Sequence, residues 1–221
     1  MQNVYQITEN QKVFCVIVSS ESDFQKMVSE LSDRIISFYD EKCVDDFLRP
    51  CSDLFTEKEQ MFVKCECLKQ FKNHYHDLHA ILAEDLSLYL AGEQHINLEG
   101  FFRFRATKYR EELLHITDAV IEEYLLESEY HQFIESLSCF LDLQPSLIPT
   151  INLIQDGTDY LITDENQQTI LMLSKYDEPL LDMIITLAPQ EINIKRPETF
   201  YNQSLIQTVI ELFKDKIHII P

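Results

Sequence analysis

"GEQHINLEGFF", residues 92–102, decides how this chain folds. Gly92 suits the position just past a helix end. Asn97 suits the N-cap of a second helix, with Ile96 and Phe101 spaced as a hydrophobic staple. Two helices joined by so short a link turn back on each other as neighbours. The stretch therefore predicts a long antiparallel helix pair.

The flanking segments fit that pair. Upstream, Thr56 and Glu59 have capping-box spacing. Leu68, Phe71, Tyr75, Leu78, Leu82, Leu86 and Tyr89 then share one helical face, predicting a single helix up to Gly92. Pro50 interrupts the segment before it. Ser22 and Gln25 read as the cap of an earlier helix, with Phe24, Val28, Leu31, Ile35 and Phe38 on one side. "KVFCVIV" (12–18) reads as a buried strand, paired with "VYQI" (4–7). Downstream, the second helical stretch runs from Asn97 to about Asp142, with a break near Ser128, and Pro145 and Pro149 end it.

After Pro149 the period changes. "INLIQ", "DYLIT" and "TILML" read as a strand meander turning at Asp156–Gly157 and at "DENQ". "EPLLDMIITLA" reads as a helix, "EINIK" as a strand, "QSLIQTVIELFKD" as a helix and "KIHII" as a last strand. The expected class is α+β: a predominantly helical N-terminal and middle part, then a mixed β-sheet with two or three helices. The regions are 1–145, mainly helical with an N-terminal strand or hairpin, and 146–221, α+β. One compact domain is also open, because the N-terminal strands could join the C-terminal sheet.

Composition bounds the function. The 221 residues carry 18 Lys+Arg against 38 Asp+Glu, a net charge of −20. Such a field repels nucleic acid and anionic lipid and favours basic proteins and cations. The expectation is no nucleic acid, no membrane and another protein as partner, with a homo-oligomer left open. No apolar run reaches the ~18 residues of a membrane helix. "MQNVYQITENQKVFCVIV" lacks a signal-peptide pattern, so a cytoplasmic location is expected. The six cysteines show no CxxC or disulfide rhythm and are expected to be mostly free thiols. Only three glycines are present, Gly92, Gly100 and Gly157. A Walker loop, a GxGxxG turn and a GxSxG elbow each need at least two close together, so none is formed here.

"CECLKQFKNHYHDLH" (65–79) places two cysteines and three histidines within fifteen residues. On a helix, Cys65 and His76 lie on one flank, Cys67 and His74 on the other, and Cys65 is about 16 Å from His76 along the axis. Only His76 and His79, at i and i+3, could share an ion, and two ligands are too few for a zinc site. They are weak metal candidates, and no cofactor is expected. "EELLH" supplies a Glu112–His115 pair, but a di-iron bundle needs two such pairs plus further carboxylates, and both residues face solvent. "FFRFRATKYR" carries Arg103, Arg105, Lys108 and Arg110 at the start of one helix. Arginine suits carboxylate or phosphate, whereas the plainer reading is counter-charge, with Glu99 and Arg103 at i, i+4. Phe104, with Leu114, Ile121 and Leu125, suggests a second apolar contact. Gly100 in a first helical turn costs roughly 1 kcal/mol against Ala, which suggests a close approach there.

"INLEGFFRFRATKYREEL" (96–113) resembles the hallmark segment of the YtxC-like sporulation proteins of endospore-forming bacteria. "DYLITDENQQTILML", "LLDMIITLAPQEINI" and "LIQTVIELFKDKIHI" are similar to that family's later blocks, in order, so the resemblance spans roughly residues 60–221. It implies a cytoplasmic protein linked to sporulation and brings no established activity, cofactor or catalytic residue. The leading expectation is a non-enzymatic interaction factor, with Asn97, Gly100, Arg103, Arg105 and Lys108 as candidate binding residues. The alternative is an enzyme or a metal- or anion-binding protein using the Arg103–Arg110 stripe and the helix His and Glu residues.

Overall fold

The computed structural model describes residues 2–174 and 180–221. The chain forms two compact units, one up to Leu126 and one from Glu127.

In the first unit, β1 (Asn3–Glu9) and β2 (Lys12–Val18) make an antiparallel hairpin. Asn10 and Gln11 at its tip both have positive φ, 46° and 63°, as a two-residue primed turn requires. A third strand, β3 (His95–Asn97), pairs parallel with β1, giving the order β2-β1-β3. The link between the long helices contains a strand, and the N-terminal hairpin pairs with it; of the two alternatives left open, the hairpin belongs to its own sheet and not to the C-terminal one. β2 is also an edge strand, exposed along most of its length, and not a buried one. Its unbroken apolar run mimics a central strand.

Helix α1 (Glu21–Leu48) begins with a capping box between Ser20 and Asp23, two residues before the expected one. The Asp23 carboxylate accepts from both Ser19 and Ser20 N–H groups at 3.0–3.1 Å, which Gln25 could not do as well for a helix dipole. Pro50 stands near the start of a six-residue 3-10 segment, Arg49–Leu54, that follows α1. Thr56 and Glu59 then cap α2 (Glu57–Asn73) as their spacing predicts, at 2.7 and 3.4 Å.

The expected single helix to Gly92 is two, α2 and α3 (Tyr75–Gly92). His74 breaks it, with ψ 14° and its ring Nδ1 3.0 Å from the Gln70 carbonyl that the backbone also uses. Val63, Cys67, Phe71, Leu78, Leu82, Leu86 and Leu90 are buried, while Tyr75 is 36% exposed. Cys67, placed on a flank by a straight helix, is thus a core residue.

Asn97 caps α4 (Leu98–Phe104), accepting from Gly100 N–H at 2.9 Å, and the staple residues Ile96 and Phe101 are buried. A turn at Arg105–Ala106 leads into α5 (Thr107–Leu143), which runs through Ser128 without the expected break. The interruption lies here instead because Arg105 and Ala106 both donate to the Phe101 carbonyl. Lys108 is the cation nearest in effect to Asp85, Thr117 meets Cys67, and Tyr124 meets Phe62 and Glu59. Numbers rise along α5 as they fall along α3 and α2, so the long helices are antiparallel, although β3, α4 and a turn intervene between them.

The second unit contains β4 (Ile148–Asp156), β5 (Asp159–Thr163) and β6 (Thr169–Ser174), the expected meander. Gly157, with φ +61°, makes its first turn. Strands β7 (Pro189–Lys195) and β8 (Ile217–Ile220) add in parallel, for the order β6-β5-β4-β7-β8. Asn152 donates to Thr163 Oγ1 and to the Asp164 carbonyl and accepts from Asn193, which pins three strands in register. Helices α6 (Leu180–Leu187) and α7 (Gln203–Phe213) and the end of α5 supply Ile184, Val209 and Leu141 to its core. The expected start of α6, at Glu178 and Pro179, lies outside the described residues. The whole is α+β, helical through its middle, with the larger sheet C-terminal.

Candidate functional site

The basic stripe does not act as one surface. Arg103 pairs with Glu99 at 2.9 Å and is largely exposed. The Lys108 charge acts on the Asp85 carboxyl of α3, opposing the rise that burial causes there. Arg105 is exposed in the turn between α4 and α5. Arg110 is half-buried, and its guanidinium donates to the Arg103 carbonyl at 3.0 Å. Asn97 and Gly100 serve the α4 cap. The three atoms nearest a Cβ added at Gly100 all belong to Asn97, at 3.6–3.8 Å, an ordinary contact. Nothing within the described residues makes a closer approach to Gly100 than that.

Arg103 and Arg110 converge instead on a cleft of about 330 Å³ against α1, lined also by Tyr39, Lys42, Phe102 and Cys43. Sequence reasoning did not include Lys42, since α1 is distant in sequence and carries no basic run. Tyr39 and Phe102 stack with centroids 4.5 Å apart and form the apolar floor. Lys42 sits 5.4 Å from the Tyr39 ring. Among the described residues, neither Lys42 nor Arg110 has a carboxylate within ion-pair distance. The rim acids are engaged: Glu99 by Arg103, Asp46 by Arg49 at 2.8 Å.

Buried polar groups lie behind the cleft. The Tyr109 hydroxyl donates to Asp40 Oδ1 at 2.5 Å. Burial pushes the Asp40 carboxyl up to about 6, partly offset by the Tyr109 hydrogen bond. Burial and the Asp40 charge raise Tyr109 well above the usual phenol range. Burial likewise pushes the Cys43 thiol up to about 12, although Arg110 works against it. A thiol so held is no nucleophile.

The metal candidates separate. His79 Nε2 lies 3.4 Å from both Ser29 Oγ and Asp33 Oδ1 on α1, and Tyr75 donates its hydroxyl to the same Asp33. His76 is exposed beside the Tyr75 ring. Glu112 and His115 face solvent. Among the described residues, no three His, Cys, Asp or Glu side chains are grouped to hold an ion. Of the second apolar contact, Ile121 and Leu125 enter the core, while Phe104 stays 77% exposed.

One feature that the sequence concealed is the free edge of β2. Gln6 sends its N–H to the Gln94 carbonyl, away from its β2 partner Cys15. Alternation along the ladder then turns the N–H and C=O groups of Val13, Cys15 and Ile17 outward. The side chains of Val4, Val13 and Ile17 share the outer face and are 50–62% exposed. Phe14, on the other face, is 42% exposed with the Arg34 guanidinium 5.8 Å from its ring. An apolar edge with no proline, no bulge and a single terminal lysine, Lys12, lacks the usual protection against pairing.

No helix among the described residues is long and apolar enough to cross a membrane. The YtxC-like family profile matches residues 25–218. The uncharacterized protein YtxC of Bacillus subtilis (strain 168) is 27% identical over 138 residues, covering 56% of this chain and 48% of that protein. The chain thus spans about half the length of that relative. No solved structure matches. The chain belongs to the YtxC-like family.

Proposed function

We propose that this member of the YtxC-like family is a cytoplasmic, sporulation-associated interaction factor without catalytic activity, and that it binds a basic partner protein by strand addition to β2. The free edge carries this reading: three outward-facing backbone pairs at Val13, Cys15 and Ile17, flanked by exposed apolar side chains on both faces. An added strand would satisfy those backbone groups and cover Val4, Val13 and Ile17. The net charge of −20 favours a basic partner over a second copy of an equally acidic chain. The link to sporulation rests on the family resemblance.

Crosslinked capture from sporulating cells tests it, with the full chain and its Cys15→Pro variant. Proline at position 15 removes an outward N–H and leaves the β1 ladder intact. The reading predicts a stoichiometric basic partner that Cys15→Pro loses while its melting temperature holds. Equal capture by the variant, or capture of further copies of this chain alone, contradicts it.

A further inference from the structure

The cleft between α1 and the α4–α5 turn has a chemistry that strand addition does not use. We propose that it binds a small organic anion, whose carboxylate or phosphate is held by Arg110 and Lys42 and whose apolar body lies on Phe102 and Tyr39. In a chain with more than two acids for each base, two cations converge here without a carboxylate partner. Arg110 is pre-oriented, since its guanidinium donates to the Arg103 carbonyl and also bonds the Cys43 thiol, and a guanidinium has five N–H donors, more than these two contacts use. Lys42 approaches from α1 over the Tyr39 ring, so the two charges come from separate elements fixed by the core. Arg103 is held on the rim by Glu99, and Asp46 is neutralised by Arg49, so the rim acids do not cancel the inner pair. About 330 Å³ is the lower end of small-ligand sites, and the stacked Tyr39–Phe102 pair gives the apolar floor such sites have. Arg105 and Lys108, though in the same stripe, lie outside it.

Calorimetric titration of the full chain tests the site, using inorganic phosphate and benzoate as separate probes in chloride buffer at matched ionic strength. Saturable one-to-one binding of at least one probe is expected. Phosphate alone identifies a phosphate ligand, benzoate alone an aromatic carboxylate, and both together a site that reads only the charge. Arg110→Gln should weaken binding about tenfold and Lys42→Gln at least about threefold, while Lys108→Gln leaves it unchanged. Because Arg110 also ties the α4–α5 turn, Lys42→Gln, at an exposed position, decides the matter if Arg110→Gln does not fold. No binding of either probe up to about 10 mM overturns the proposal, as does binding unchanged in Lys42→Gln. Neither result bears on partner capture through β2, which Cys15→Pro reports separately.

Discussion

The Tyr109 hydroxyl on α5 donates a 2.5 Å hydrogen bond to Asp40 Oδ1 on α1, and so joins two helices 69 residues apart in sequence through a buried carboxyl. Its consequence is a pH-dependent stability. The Asp40 carboxyl titrates at about 6 in the fold against 3.8 unfolded, so the folded state holds the proton more tightly. Below about pH 4 the group is neutral in both states and costs nothing. As pH rises from about 4 to 6 it must ionise in a buried place, and stability falls, by about 2–3 kcal/mol at completion. Asp40→Asn keeps an acceptor for Tyr109 and removes the charge. Urea unfolding from pH 4 to 8 should show the variant gaining on the parent across that window and holding the gain above it. A pH-independent difference would contradict this assignment.

Tyr109→Phe removes the donor and leaves the buried carboxyl without its partner. We expect a loss of about 1–3 kcal/mol at pH 7.5. In Asp40→Asn the same change should cost less, since a neutral acceptor is cheaper to strand. The double-mutant cycle reads this coupling directly.

Thiol chemistry should follow burial. Cys15, Cys65 and Cys139 are exposed, Cys51 is intermediate, and Cys43 and Cys67 are buried. Burial raises the Cys67 thiol to about 11 and Cys43 to about 12. A native thiol titration should label the three exposed cysteines first and reach Cys43 and Cys67 only on unfolding. Rapid native labelling of Cys67 would mean that α2 is not packed against α5 as described.

The α4 cap offers a pair of opposite effects. Asn97→Ala should destabilise by about 1 kcal/mol through loss of the bond to Gly100 N–H. Gly100→Ala should be neutral or stabilising by up to about 1 kcal/mol, because its Cβ meets only ordinary contact with Asn97. A marked loss in Gly100→Ala, read by thermal melts, would restore the idea of a close approach there.

Local chemistry was readable along the chain, and non-local placement was not. Thr56–Glu59, the Asn97 cap, the Ile96–Phe101 staple and the C-terminal strands all follow from spacing over a few residues. The long helices are antiparallel as expected, but through β3, α4 and a turn and not through a short link. What escaped depends on neighbours distant in sequence. His74 interrupts a helix at one ring-to-carbonyl contact, and Cys67, beside the expected apolar face, is buried with Val63 and Phe71. β3 is three residues long and exists because β1 offers it an edge. The apolar run of β2 is the same whether a sheet or solvent lies beside it. Of the basic stripe, only Arg103 and Arg110 reach the cleft, and the third cation, Lys42, comes from a helix sixty residues earlier by roughly sequence count, where no periodicity announces it.

Strand addition at β2 is tested most directly by hydrogen exchange at single amides, for the chain alone and in complex with its captured partner. Alone, Phe14, Val16 and Val18 should be protected by the β1 ladder, while Val13, Cys15 and Ile17 exchange freely. In the complex those three should slow by at least about tenfold, in alternation with their already protected neighbours. Exchange at Val13, Cys15 and Ile17 that is unchanged with the partner bound would contradict the account.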